Sequence, residues 1–286
     1  MAFSVPLGGV ASLLRGKPHH PVGPDGQMAL SDHLRELRAR IIKATLALVV
    51  VFVAALFFYD QLLGLVLGPY EQARDILAEE QDVDTTPYIG GATGPLLLQL
   101  KLSAVAAVVV TSPYWLYQLW AFIVPGLHRR EKLWTRLFVV IAGPLFLAGV
   151  GTAYYVLPVG LEVLIGFTPD PLVSLVDFGE YFSFFTRMLL VFGVAFEIPL
   201  FVIMLNLAGV VKGKQIGRYR PWIIIGTFVF AAVATPSTDP FSMLMLALPM
   251  LVLFVIAEIV ARLVDRARDR NAAGTDQWDD DELSTI

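Results

Sequence analysis

Long apolar runs constrain this chain more than any single motif does. They occur at about 41–58, 95–122, 134–158, 182–211, 222–234 and 241–261. A membrane-crossing helix needs ~20 largely apolar residues, and the first run falls just inside that range. The fifth run has 13 residues, which at ~1.5 Å each cover about 20 Å of a ~30 Å hydrocarbon core. Arg218 and Arg220 precede it, and Thr235-Pro236-Ser237-Thr238-Asp239-Pro240 follows it. That pattern predicts a short helix hairpin in a locally thinned membrane. The composition agrees: 16% of residues are charged, against ~25% in soluble domains. The expected fold is therefore an all-α polytopic integral membrane protein with six transmembrane helices, the fifth and sixth short or in a thinned region.

Charge sets the expected orientation. Arg35, Arg38, Arg40 and Lys43 precede the first run, and Arg129, Arg130, Lys132 and Arg136 join the second to the third. Lys212, Lys214, Arg218 and Arg220 join the fourth to the fifth, and Arg262, Arg266, Arg268 and Arg270 end the sixth. The opposite loops, 69–94 and 159–180, are acidic, with Arg74 their one base. The positive-inside rule then places both termini in the cytoplasm, consistent with an even number of crossings. Residues 1–28 read as a flexible cytoplasmic extension without a cleavable signal. Residues 29–265 form the membrane domain, and 266–286 a charged, disordered cytoplasmic tail.

Several chemistries are disfavoured. Cysteine is absent, which removes disulfides and thiolate sites. His19, His20, His33 and His128 form no HExxH pattern, so no metal site is expected. No nucleotide-binding loop of GxxxxGK[ST] type is present, and no cofactor is implied.

Three carboxylates stand out. Ser31 to Ile41 predicts an amphipathic helix lying on the membrane face, with Leu30, Leu34, Leu37 and Ile41 as its apolar stripe. In it Glu36 and Arg40 can pair at i, i+4. By composition alone this is a basic anchor with a solvated face. In Tyr117 to Lys132, Tyr117 and Trp120 read as interface aromatics, Pro125-Gly126 as a turn, and Glu131 as the one acid of a basic loop. Locally, Glu131 needs no role beyond balancing Arg129, Arg130 or Lys132. Glu197 lies within the apolar run Met188–Val211, where an ionised carboxylate costs on the order of 3 kcal/mol. It shares a helical arc with Ser183, Thr186 and Gly193. Pro199 deprives the Ala195 carbonyl of its helical donor and predicts a kink beside it. Two readings stay open for Glu197: a hydrogen bond between spans, or a functional contact. Asp239 either caps the sixth helix or lines a cavity with Glu197.

The segments HLRELRARI, YQLWAFIVPGLHRREK, FGVAFEIP and TPSTDPFSM, in that order on a six-span frame, resemble the TatC family. TatC is the multispanning core of the twin-arginine protein translocase, and the resemblance covers about residues 29–265. It implies a non-enzymatic receptor and scaffold that exports folded proteins across the bacterial cytoplasmic membrane on the proton-motive force. It further implies that Glu36 and Glu131 dock the twin-arginine signal peptide, with Arg38 and Phe122 in family functional positions. Pro69 matches a family proline at the outer end of the first spanning helix. Glu197 and Asp239 match acids in the region that contacts the single-span partners TatA and TatB. Homo-oligomers within the complex are implied, and nucleic acid is not. One departure is local: many members read TPPD where this chain has Thr235-Pro236-Ser237-Thr238-Asp239. The alternative is a proton- or ion-coupled transporter of a small solute. It predicts internal repeats, and none is visible between 41–158 and 182–261.

Overall fold

The computed structural model describes residues 30–81, 85–123, 132–167, 174–235 and 240–275. Among them run helices α1 (Leu30–Leu56), α2 (Tyr59–Gln81), α3 (Gly94–Val110), α4 (Ser112–Ile123), α5 (Lys132–Gly166), α6 (Phe178–Leu207), α7 (Gly213–Arg218), α8 (Arg220–Ala234) and α9 (Pro240–Thr275). Two short strands interrupt them, β1 (Thr85–Tyr88) and β2 (Ser174–Asp177). Each of the six expected apolar runs is helical over most of its length, and the sixth, expected to be short or in a thinned region, lies in the 36-residue α9. His33–Leu56, Val140–Gly166, Phe178–Leu207 and Pro240–Arg270 are each long and apolar enough to cross a membrane. The α3–α4 pair passes the same test as one bent element, and α8 is a shorter apolar helix. The chain divides into two compact units, one up to Val194 and one from Ala195 onward.

Hydrocarbon, not water, is the solvent that this surface suits. Only 11% of the apolar window of α1 is buried, and Leu46, Val49, Val50 and Val53 are all exposed along it, as is Phe57 just beyond its end. Contiguous apolar exposure on this scale is not sustained by a soluble monomer.

The second apolar run is not one straight helix, as its sequence led us to expect. It breaks at Thr111 and bends by 55°. Pro113 has no N–H to give the Val109 carbonyl, so the regular ladder fails there. Side chains repair it. The Ser112 hydroxyl donates to the Val109 carbonyl at 2.7 Å, the Trp115 indole to that of Val108 at 3.0 Å, and Thr111 Oγ1 to that of Ala107 at 2.6 Å. The Val108 and Val109 carbonyls, which lose their ladder donors at the bend, thus each find a side-chain donor, as a dry environment favours.

Small residues let the helices of the first unit approach closely. A Cβ on Gly143 would meet Pro113 at 2.8 Å, and one on Gly149 would meet the Phe192 carbonyl oxygen at 2.6 Å. Gly193 lies under the Phe146 ring, which also packs edge-on against Trp115. Tight backbone approach is how apolar helices gain contact when the lipid is equally apolar.

The end of this unit away from Glu36 differs from the expected open loop at 69–94. The first helix stops at Leu56, and α2 continues from Tyr59 to Gln81. Pro69 therefore stands inside α2, fully buried, rather than at the end of the first spanning helix. It leaves the Leu65 carbonyl without its helical donor. One residue along, the Tyr181 hydroxyl donates to the Val66 carbonyl at 2.5 Å. Tyr181 sits among Tyr70, Phe178 and Phe185, and the Tyr70 hydroxyl bonds that of Thr85. From there β1 pairs in parallel with β2, Thr85 opposite Ser174 and Tyr88 opposite Asp177. Asp177 Oδ1 then accepts from the Gly179 and Glu180 amides and caps α6. Nothing in the apolar pattern announces this ladder, because its strands are four residues long.

In the second unit, α9 runs on to Thr275. The tail expected to be disordered from 266 is therefore helical over its first part. The N-terminal extension lies outside the described residues.

Candidate functional site

The amphipathic start of α1 and the end of α4 meet. The His33 and Phe122 rings stack with centroids 4.4 Å apart and planes at 17°. One and two turns further along α1, Glu36 and Arg40 form the expected i, i+4 pair. Arg40 Nε donates to Glu36 Oε1 at 2.9 Å and Nη2 to the same oxygen at 2.5 Å. Arg40 Nη1 also reaches Gln118 Oε1 at 3.4 Å, tying α1 to the buried amide on α4. Leu34 and Ile41 are exposed along the helix, as an apolar stripe against lipid would be.

Both side chains of the pair are 21% exposed. The carboxylate is thus already engaged by a guanidinium through two N–H groups, while an approaching group can still reach it. Two-point contact is the geometry that separates arginine from lysine. The stacked His33–Phe122 rings supply an apolar wall at the helix entry. Arg38 is exposed, about 200° around the helix from Glu36 at ~100° per residue. It does not join the cluster. Glu131 and Pro125 lie outside the described residues, as does Asp239. Trp120 is buried within the protein, whereas Tyr117 is exposed.

Glu197 is buried, with 9% relative exposure, in α6. Pro199 is retained inside the same helix. The polar arc read from the sequence is partly spent locally: Ser183 Oγ donates to its own helix at the Gly179 carbonyl, 2.7 Å away.

The structure also brings forward a carboxylate to which the sequence reading gave no role. Glu258 on α9 is buried and takes Arg220 on α8 through two bonds, Nε–Oε2 at 2.6 Å and Nη2–Oε1 at 2.9 Å. Arg262 Nη2 adds a third contact to Oε1 at 2.5 Å. The available signal was Glu258 four residues before Arg262 at the end of an apolar run. Its other partner is 38 residues away, where no local pattern can show it. A Cβ on Gly213 would meet the Arg262 amide at 2.8 Å, so α7 lies directly against α9. Among the described residues no group of His, Asp and Glu is placed to hold a metal.

Comparison with known proteins gives one answer. Residues 32–249 match the family described as Sec-independent protein translocase protein (TatC). The curated TatC of Frankia casuarinae is 44% identical over 271 residues, covering 92% of this chain and 74% of that protein. The Escherichia coli TatC is 30% identical, covering 84% of this chain and 91% of its own length. A crystal structure of the twin-arginine translocase receptor TatC in the detergent DDM superposes with a TM-score of 0.66 at 31% identity, over 80% of this chain and 99% of that one. This multi-pass, all-α chain belongs to the TatC family of Sec-independent protein translocases, a non-enzymatic family of membrane proteins.

Proposed function

We propose that the chain is the signal-peptide receptor and scaffold of a twin-arginine translocase. It would act in the bacterial cytoplasmic membrane with both termini inside, exporting folded cargo on the proton-motive force. The observation that carries this reading is the Glu36–Arg40 pair beside the stacked His33 and Phe122 rings. Arg40 stands in for an arginine of the signal peptide: the carboxylate is held in a geometry that accepts a guanidinium by two N–H groups. A peptide arginine can exchange with it at little net cost, because a partly exposed ion pair contributes only about 0–1 kcal/mol. Glu131 supplies the second carboxylate, so that two adjacent arginines are read together; Phe122 borders the site, and Arg38 acts from the opposite, exposed side of α1. The solved relative's description as a twin-arginine translocase receptor supports the same assignment.

Glu197 is assigned to a TatA- or TatB-type single-span helix, with Asp239 in the same role. A carboxylate in an apolar, proline-bearing helix is a polar grip for another protein's span. Helix α8 has 15 residues, about 22 Å at ~1.5 Å each, which fits a thinned membrane where partners dock. Several copies per complex follow from the scaffold role.

Crosslinking a twin-arginine peptide to membranes carrying Glu36→Ala with Glu131→Ala tests the receptor role. Loss of the crosslink is expected, and undiminished crosslinking would sink the assignment. For Glu197→Ala, loss of TatA-type co-purification and of export is expected. Retention of both would leave Glu197 a purely structural residue.

A further inference from the structure

The second unit contains a cavity of about 410 Å³ between the end of α6, α7 and the charged half of α9. This lies within the ~300–1,000 Å³ range of small-ligand sites. Its lining has five bases against two acids. Most of its polar groups have structural partners. Arg262 pairs with Glu258, and Arg268 closes the end of α6 by donating to the Asn206 and Leu207 carbonyls. Asp265 accepts from the Asn206 amide at 3.0 Å and the Gly213 amide at 2.6 Å. Three cations remain: among the described residues Lys212, Lys214 and Arg266 enter no ion pair. Asp269 is the one remaining acid on the rim.

The surface beside the cavity points to its ligand. Leu263 and Ile259, one and two turns before Arg266 on the same face of α9, are exposed and apolar, and Val210 is exposed just after the end of α6. An exposed apolar stripe on α9 therefore runs up to Arg266, one of the three cations in the cavity lining. We propose that this pocket binds the phosphodiester headgroup of an anionic membrane lipid, with Lys212, Lys214 and Arg266 as the phosphate ligands. The acyl chains lie along Ile259 and Leu263. Basic pockets between spans at a membrane surface are suited to such headgroups. The bound lipid would brace α6, α7 and α9 at the point where Asp265 and Arg268 already tie them together. This site is independent of the receptor reading and uses none of its residues.

The test uses the purified full-length chain in a neutral detergent, with lipid binding read by native mass spectrometry. Phosphatidylglycerol, phosphatidylcholine and inorganic phosphate are the probes. Phosphatidylglycerol is expected to bind, to weaken about tenfold in Lys214→Gln with Arg266→Gln, and to recover in Lys214→Arg with Arg266→Lys. Phosphatidylcholine is expected to bind weakly and equally to all three proteins. Unchanged phosphatidylglycerol affinity in the Gln variant, or equal affinity for phosphatidylcholine, overturns the site. Inorganic phosphate binding as tightly as the lipid overturns the lipid assignment in favour of a soluble anion. Binding of an acidic peptide, added as a fourth probe, where phosphatidylglycerol does not bind overturns it in favour of a protein partner.

Discussion

Glu36 and Glu258 each hold arginine by two N–H bonds, yet they sit in opposite circumstances. Glu36 takes Arg40 from its own helix and is 21% exposed. Glu258 is 4% exposed and takes Arg220 from α8 as well as Arg262 from α9. The first pair holds no tertiary structure by itself, since both partners ride on α1. The second joins two helices and leaves no side from which a third arginine could enter. Partner number and access, not the chemistry of the pair, separate a carboxylate that can exchange its arginine from one that cannot.

The sharpest way to break this contrast is charge reversal at the clamp. Glu258→Arg puts three guanidinium groups together at the α8–α9 contact, and the folded protein is expected not to accumulate in membranes. Milder removal by Glu258→Gln should lower the Tm of the purified protein by roughly 5 °C, because it breaks the charged tie between α8 and α9. Glu36→Gln should do the reverse: Tm stays within about 2 °C, while affinity for a twin-arginine peptide, measured by fluorescence titration, falls about tenfold. Arg40→Ala removes the resident competitor, and peptide affinity should rise two- to fivefold, roughly the worth of a partly exposed pair. Smallest is the effect of salt. Raising NaCl into the range of ~0.5 M should weaken peptide capture severalfold and leave the Tm contribution of Glu258 unmoved, as screening reaches exposed charges first.

What the sequence reveals follows the range of each interaction. Apolar runs of spanning length mark their helices directly, and the Glu36–Arg40 pair is legible because its spacing is a single helical turn. The bend at Thr111 hides inside a continuous apolar run. Its signal, Ser112 followed by Pro113, becomes readable only when one asks which carbonyls the proline orphans. Glu258 and Arg220 meet across a separation of 38 residues, and the β1–β2 ladder joins segments about ninety residues apart. No local periodicity reports such pairings. Pro69 shows a subtler failure: its position in the chain was plain, but whether the first helix ended before or after it depended on the break at Phe57 and Phe58.

The 55° bend at Thr111 also fixes a distance. Helix α4 has 12 residues and is about 18 Å long at ~1.5 Å per residue. Tilted by that angle, it carries its tip roughly 15 Å sideways from the line of α3 and advances only about 10 Å along it. The pair still has the reach to cross a bilayer, and the lateral offset delivers Gln118 and Phe122 to Arg40 and His33. Because Ser112 and Trp115 bond the Val109 and Val108 carbonyls across the bend, the offset is a braced bracket rather than a bare hinge. Shortening α4 by one turn would withdraw both contacts by about 5 Å and leave the mouth of α1 without its second wall.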